Sequence, residues 1–302
     1  MIPLLLLLLS GLAPGTARDY EGEINALIDQ HQAAAAQPLV DEWKAHGGEQ
    51  DPEYWIAASN VWHEVARRAV VEDGTRKPGV YKVGKKLPNG FMLRDRKSGK
   101  PAGSILLSEA FDETDQRRAY GALEEATRRF PERLDIAVGL AYLHREAKDF
   151  TGELAALRAM VAQARAIKRA PRWGKQPLHG TTEEFGLTML NQYAVEHYQG
   201  AEEEAAKAIG ELTVELFPNK PQGYNLVSHY YFDRGNYEMD KIWLKKALEQ
   251  APDDSLMWAN LADCEQRLGH HTEAVAIYRR IVQLDNDPKQ VARAKRALKP
   301  HK

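Results

Sequence analysis

Apolar and small residues recur along residues 217–287 with one fixed offset. Pro218 returns as Pro252, Tyr224 as Trp258, Val227 as Leu261, Gly235 as Gly269, Leu244 as Tyr278 and Ala247 as Ile281, each 34 residues on. A period of this length marks a stacked helix–turn–helix repeat, whose units bury their apolar faces only against one another. The same periodicity continues upstream. Residues 134–168 predict a helix pair, with Ile136, Leu140, Ala141 and Leu143 on the first helix and Leu154, Leu157, Met160 and Val161 on the second. Between them Asp149-Phe150-Thr151 supplies a break and a cap. A more degenerate pair follows. It carries Leu187, Leu190, Tyr193 and Ala194, then Ala205, Ile209 and Leu212, with Glu202, Glu203 and Glu204 well placed at the start of its second helix.

Nearer the amino terminus, residues 53–71 carry a helical stripe of Trp55, Ala58, Val61, Trp62 and Val65. Residues 112–130 place Ala119, Leu123 and Ala126 ahead of Pro131, the spacing of Asp240, Leu244 and Ala247 ahead of Pro252. These two segments therefore read as the halves of one repeat. Between them, residues 72–111 change to a strand-like pattern, with short runs at Gly79 to Gly84, Gly90 to Arg94 and Ser104 to Leu107 separated by the turn residues Pro88-Asn89-Gly90 and Lys97-Ser98-Gly99-Lys100-Pro101. This predicts a β-meander of two or three strands inserted in a helix–helix turn. Residues 19–47 predict two short helices, or one kinked at Pro38. Pro131 to Pro218 spans 87 residues, two periods of 34 and a surplus of 19, which falls in a loop at residues 169–183 that holds Trp173 flanked by Arg172 and Lys175. Residues 289–302 read as a terminal capping helix, with Val291, Ala294 and Leu298 inward and cations outward.

The pattern resembles the tetratricopeptide repeat (TPR). Trp258, Leu261, Ala262, Gly269, Ala274 and Tyr278 match its residue types, as do Tyr224, Val227, Ser228, Tyr231, Gly235, Tyr237, Ala247 and Pro252. The resemblance is clearest in residues 221–254 and 255–288, covers about residues 131–287, and is weaker over 37–130. It implies a mainly α fold, a right-handed solenoid of helix pairs running from residue 18 to residue 302. It also implies a concave face lined by the first helix of each pair. The residues expected there are Val138, Tyr142 and Arg145, then Asn191, Val195 and Tyr198, then Asn225, His229 and Phe232, then Ala259 and Asp263. Asn225, Leu256 and Asn260 stand where the family's two-carboxylate clamp needs basic side chains, so an extended or helical peptide held by stacking and amide hydrogen bonds is expected instead.

Charge narrows the partner. Lys plus Arg number 41 against Asp plus Glu 43, a net charge of -2 with no global basic field, and nucleic acid is not expected as a partner. The opening Met1-Ile2-Pro3 is followed by six leucines and the small residues Gly15-Thr16-Ala17 before Arg18. This reads as a secretory signal peptide, residues 1–17, too short to span a bilayer, and predicts a periplasmic or secreted protein with no transmembrane segment after its removal. With that leader, the chain looks like an exported bacterial TPR protein.

Catalytic chemistry does not assemble from the sequence. His63-Glu64 lacks the second histidine of a zinc-protease helix, position 67 being Arg. Gly99-Lys100 is followed by Pro101 and is no phosphate loop. Among the ten histidines, including His144, His179, His197, His229 and the pair His270-His271, no two share a metal-chelating helical spacing, and the single Cys264 falls on a buried face. No metal, no cofactor and no enzyme activity are therefore expected. Two functional classes stay open: a scaffold that binds a protein or peptide on its concave face, or a small-molecule or glycan site, perhaps hydrolytic, between the β-insertion and the loop of Trp173 and Arg172, with Arg94 as an anionic-ligand contact.

Overall fold

Helix starts and stops follow local chemistry. Asp149 accepts the Gly152 N–H, Asn236 the Met239 N–H and Asp254 the Leu256 and Met257 N–H groups, while Thr181 and Glu184 form a reciprocal capping box. Gly235 and Gly269 hold φ of +71° and +79° between paired helices, a region where a side chain would be strained. The 34-residue recurrence of that glycine thus places the turn itself. In this computed structural model, residues 18–73, 81–87 and 89–299 are described. The expected signal peptide, residues 1–17, and part of the expected strand at residues 79–84 lie outside them.

The helices are α1 (Tyr20–Asp29), α2 (Ala33–Ala45), α3 (Pro52–Ala66), α4 (Glu113–Arg129), α5 (Leu134–Glu146), α6 (Phe150–Ala166), α7 (Thr182–Gln199), α8 (Glu203–Leu216), α9 (Pro221–Asp233), α10 (Tyr237–Gln250), α11 (Ser255–Arg267), α12 (His271–Leu284) and α13 (Pro288–Ala297). Strands β1 (Arg67–Asp73), β2 (Tyr81–Leu87), β3 (Gly90–Asp95) and β4 (Pro101–Phe111) stand between α3 and α4, and the short β5 (Arg172–Trp173) and β6 (Gln176–Pro177) precede α7. The protein is mainly α with a small antiparallel sheet between two N-terminal helices. The chain forms two units, residues 1–125 and 126–302.

In the first unit α1, α2 and α3 enclose Ile24, Ala36, Val40, Tyr54, Ala57, Ala58 and Val61. The break between α1 and α2 falls at residues 30–32, and Pro38 sits inside α2 without ending it. Beyond the insertion, α3 and α4 meet: Ser59 Oγ donates to the Ala119 carbonyl at 3.0 Å, and His63 Nδ1 lies 3.1 Å from Gln116 Oε1. They are the two halves that the spacing suggested. The insertion itself has four described strands, in the order β1-β4-β3-β2, rather than two or three. The added strand is β1, in a stretch whose apolar residues continue the helical stripe of α3. Its register, Arg67 opposite Phe111 through Asp73 opposite Ile105, ends α3 at Ala66, five residues before the expected Val71. The long partner strand, a non-local feature, decides against helix there.

In the second unit the pairs α5–α6, α7–α8, α9–α10 and α11–α12 succeed one another, and α13 closes the series. Leu134, Leu157, Met160, Leu190, Ile209 and Leu226 belong to one cluster, Leu244, Met257, Leu261 and Cys264 to the next, and Ala262, Ala274, Tyr278, Ile281, Val291 and Ala294 to the last. Each pair is sealed by its neighbour, the arrangement of a one-dimensional repeat stack. Val291 and Ala294 of α13 are buried and Leu298 packs on the same cluster, so the terminal apolar face is covered as expected.

Candidate functional site

Along the first helices of the second unit, three hollows adjoin. One of about 450 Å³ is lined by Asn191, Val195, Tyr198, Asn225 and His229, with Glu203 and Asp233. The next, about 200 Å³, shares Asn225, His229 and Asp233 and adds Ser228, Phe232, Asp240, Asn260 and Asp263. A third, about 620 Å³, shares Phe232 and Asp263 and adds Gln266, Arg267 and His271. Seven of the residues expected on the concave face therefore line one continuous groove over α7, α9 and α11. The reason is register: residues three and four apart on a helix share a face, and the next first helix repeats that face.

The side chains are positioned by specific bonds. Tyr198 donates its hydroxyl to the Leu226 carbonyl at 2.9 Å and meets the His229 ring edge-on, centroids 4.9 Å apart. Burial pushes its phenol pKa up, so it stays a neutral donor. His229 Nδ1 lies 3.2 Å from an Asp233 carboxylate oxygen. Asn260 donates from Nδ2 to Asn225 Oδ1 at 2.9 Å, Asp263 pairs with Arg293, and Phe232 packs edge-on against Tyr237, centroids 5.4 Å apart. Tyr198 and Phe232 are half-buried rather than exposed, so their removal is not neutral for stability.

Other expected residues lie elsewhere. Tyr142 is exposed, and Arg145, whose guanidinium lies 5.5 Å from its ring centre, pairs with Glu196. Val138 is half-buried, and its carbonyl accepts the Tyr193 hydroxyl at 3.1 Å. Ala259 does not face the groove: it is 0% exposed and packs with Ala262 and Ala274, because its small side chain lets α11 and α12 approach. Trp173 sits in the β5–β6 hairpin against Phe185 of α7, ring centres 5.9 Å apart, and Arg172 turns back to the Lys175 carbonyl. Arg94 belongs to the first unit, where its Nη1 donates to the Gly99 carbonyl at 3.0 Å. His63 is buried and stacks on Phe111.

Two buried carboxylates were not singled out from the sequence. Glu153, fourth residue of α6, is 1% exposed, and both its oxygens face His197 Nε2 of α7, at 2.9 and 3.0 Å. His197 Nδ1 reaches Glu202 at 2.7 Å. Burial alone lowers the pKa of this imidazole, but the hydrogen bonds to Glu153 and Glu202 outweigh it and the net shift is upward. This group lines a fourth hollow, about 540 Å³, together with Arg145, Lys148 and Arg234. Asp240, fourth residue of α10, is likewise 1% exposed. Burial raises its pKa to about 6, against the lowering effect of the Cys264 thiol and the Ser228 hydroxyl. The signal for it was present in the spacing: Asp240 stands where Ala119 stands before Pro131 and where Ala274 stands 34 residues later.

Among the described residues no cluster of three His, Cys, Asp or Glu side chains can hold a metal ion, and no helix is long and apolar enough to cross a membrane. Models of the tetratricopeptide repeat match residues 108–167, 221–254 and 244–298. No curated protein sequence matches the chain. Among solved structures, the N-terminal domain of stress-induced protein-1 from C. elegans is 17% identical and covers 40% of this chain and 100% of its own, with a TM-score of 0.34. YrrB, described as a TPR protein with an unusual peptide-binding site, is 10% identical and covers 61% of this chain and 84% of its own, with a TM-score of 0.36. MamA from Desulfovibrio magneticus is 12% identical, covering 57% and 86%, with a TM-score of 0.34.

Proposed function

The chain is a tetratricopeptide-repeat protein, and from that premise we propose that it is an exported scaffold which holds a segment of a partner protein in the groove over α7, α9 and α11. The observation that carries this reading is the continuity of the groove. Asn191, Val195, Tyr198, Asn225, His229, Phe232 and Asp263, from three successive first helices, line hollows that share walls. Its surface mixes aromatic edges, amides and a few charges, suited to stacking on side chains and hydrogen bonding to a peptide backbone. The leucine run and small residues ahead of Arg18 support export.

Capture of partners from an envelope extract on the immobilised full chain, compared with a Val195→Asp/His229→Ala variant, tests the groove. Both positions are exposed, so the variant folds normally and loses the partner. Retention at wild-type strength rejects the groove as the binding surface. Export is checked separately by N-terminal sequencing of fractionated material. A mature end near Arg18 in the envelope fraction is expected, and an intact Met1 in a cytosolic fraction rejects it.

A further inference from the structure

Asp240 occupies a place where the repeat pattern puts alanine. One period on stands Ala274, itself buried. Its carboxylate faces the Ser228 hydroxyl of α9 and the Cys264 thiol of α11, and Cys264 Sγ in turn lies 3.0 Å from the Tyr237 carbonyl. Oxygen Oδ2 has no hydrogen-bond partner among the described residues. A buried carboxylate oxygen left unsatisfied costs folding free energy, and such costs concentrate where a ligand offsets them.

Asp240 lines the middle hollow of the groove, about 200 Å³, room for several water molecules. The charges around it are mostly spoken for. Asp263 is held by Arg293, and Asp233 faces His229. Asn260 spends an amide N–H on Asn225, a bond that does not use its own side-chain oxygen. The hollow therefore combines one unsatisfied carboxylate oxygen with a second acceptor, and no lysine or arginine lines it. A group that answers this is a compact cation carrying several N–H donors.

We propose that the hollow takes the ammonium or guanidinium end of a lysine or arginine side chain of the bound segment, with Asp240 as its anchor. The proposal rests on the groove reading and names the side-chain chemistry that the groove selects. Protonation of Asp240 removes the anchor, so binding weakens as pH falls; His229, Asp233 and Asp263 face the same hollow. Ser228 on α9 does not titrate, Asp263 on α11 keeps its arginine partner, and the Cys264 thiol, pushed up by burial, stays neutral.

The test titrates the full chain with N-acetyl-lysinamide and N-acetyl-argininamide, with N-acetyl-norleucinamide as the uncharged control, following the Asn225 and Asn260 side-chain amides by NMR. At about pH 7.5 one or both cationic probes shift these signals saturably and norleucinamide does not, and Asp240→Asn weakens binding about tenfold or more. Asp240→Ala, which restores the residue type found at position 274, keeps the fold and shows the same loss. Equal shifts with norleucinamide, or unchanged binding by both variants, overturn the proposal. A second arm selects random dodecapeptides on the wild-type chain. Enrichment of Lys or Arg at one position, lost on Asp240→Asn, supports it. Selected peptides without a basic residue that bind both proteins equally overturn the anchor and leave the groove reading standing. Probe binding that depends on Asp240 with no peptide selected overturns the peptide source and the groove reading together, and leaves a site for free amines.

Discussion

Two helix pairs of the second unit solve the same problem differently. In each, the fourth residue of the second helix is a carboxylate buried to 1% exposure: Glu153 in α6 and Asp240 in α10. In each, the third residue from the end of the next first helix lies at the matching place, and there the two differ. It is His197 in α7 and Glu265 in α11. His197 lies against both Glu153 oxygens and, five residues on, reaches Glu202. Glu265 inverts the sign: it takes Lys241 at 2.8 Å and, five residues on, His270 at 2.7 Å. Asp240 is left without a cation. In the first pair the carboxylate is matched by an imidazole at the edge of its own hollow, and in the second one carboxylate oxygen has no hydrogen-bond partner among the described residues, in a side chain that lines the groove. A buried charge tells little about function until its partner is identified.

The largest expected effect breaks the network of Glu153, His197 and Glu202. His197→Ala leaves Glu153 buried without its cation, which costs about 3–5 kcal/mol. For a unit of this size that lowers Tm by about 10 °C, readable by circular dichroism. In the wild type the raised His197 pKa gives a contribution that is complete below the ordinary histidine value and is lost as pH rises through the folded-state value. An NMR titration of His197 with a midpoint at or below about 6.5 would contradict the network.

Next in size is Asp240→Asn, with the opposite sign. A carboxyl near 4 in the unfolded chain and about 6 in the folded protein makes stability fall as pH rises between those values, so the penalty is complete above about 6. The variant is then more stable than wild type at neutral pH, on the order of 2–3 kcal/mol, and the gain vanishes below about pH 4. No gain at neutral pH would mean that Asp240 is satisfied after all.

A smaller change is expected for Glu265→Gln. Burial raises the pKa of Glu265, but Lys241 and His270 outweigh it and the net shift is downward. Its contribution is therefore present above the ordinary glutamate value and lost as pH falls through the folded-state value, a slope opposite to that of Asp240. Losing the pair costs about 1–2 kcal/mol at neutral pH, since His270 is partly exposed and screened. The smallest effect belongs to the groove rim: Val195→Asp and His229→Ala each change stability by about 0.5 kcal/mol or less, separating groove binding from the ion networks behind it. A large loss in either would place that side chain in the core.

Periodicity alone determined the helix pairs, their turns at Gly235 and Gly269, and the cap formed by Val291, Ala294 and Leu298, while the groove face of α7, α9 and α11 came from the resemblance to the tetratricopeptide repeat. These depend on which residues share one helical face, a property written along the chain at intervals of three, four and 34. Tertiary structure decided what needs a partner distant in sequence. The strand β1 exists because β4 lies beside it, although residues 67–71 continue a helical stripe. Ala259 turns to the core because α12 comes close. Glu153 and Asp240 occupy equivalent places in their helices, yet His197 of α7 lies against Glu153 as an ion pair, whereas Cys264 of α11 and Ser228 of α9 face Asp240 and bring it no cation. Pairing of charges is a matter of distance and burial, and neither is carried by residue type or spacing.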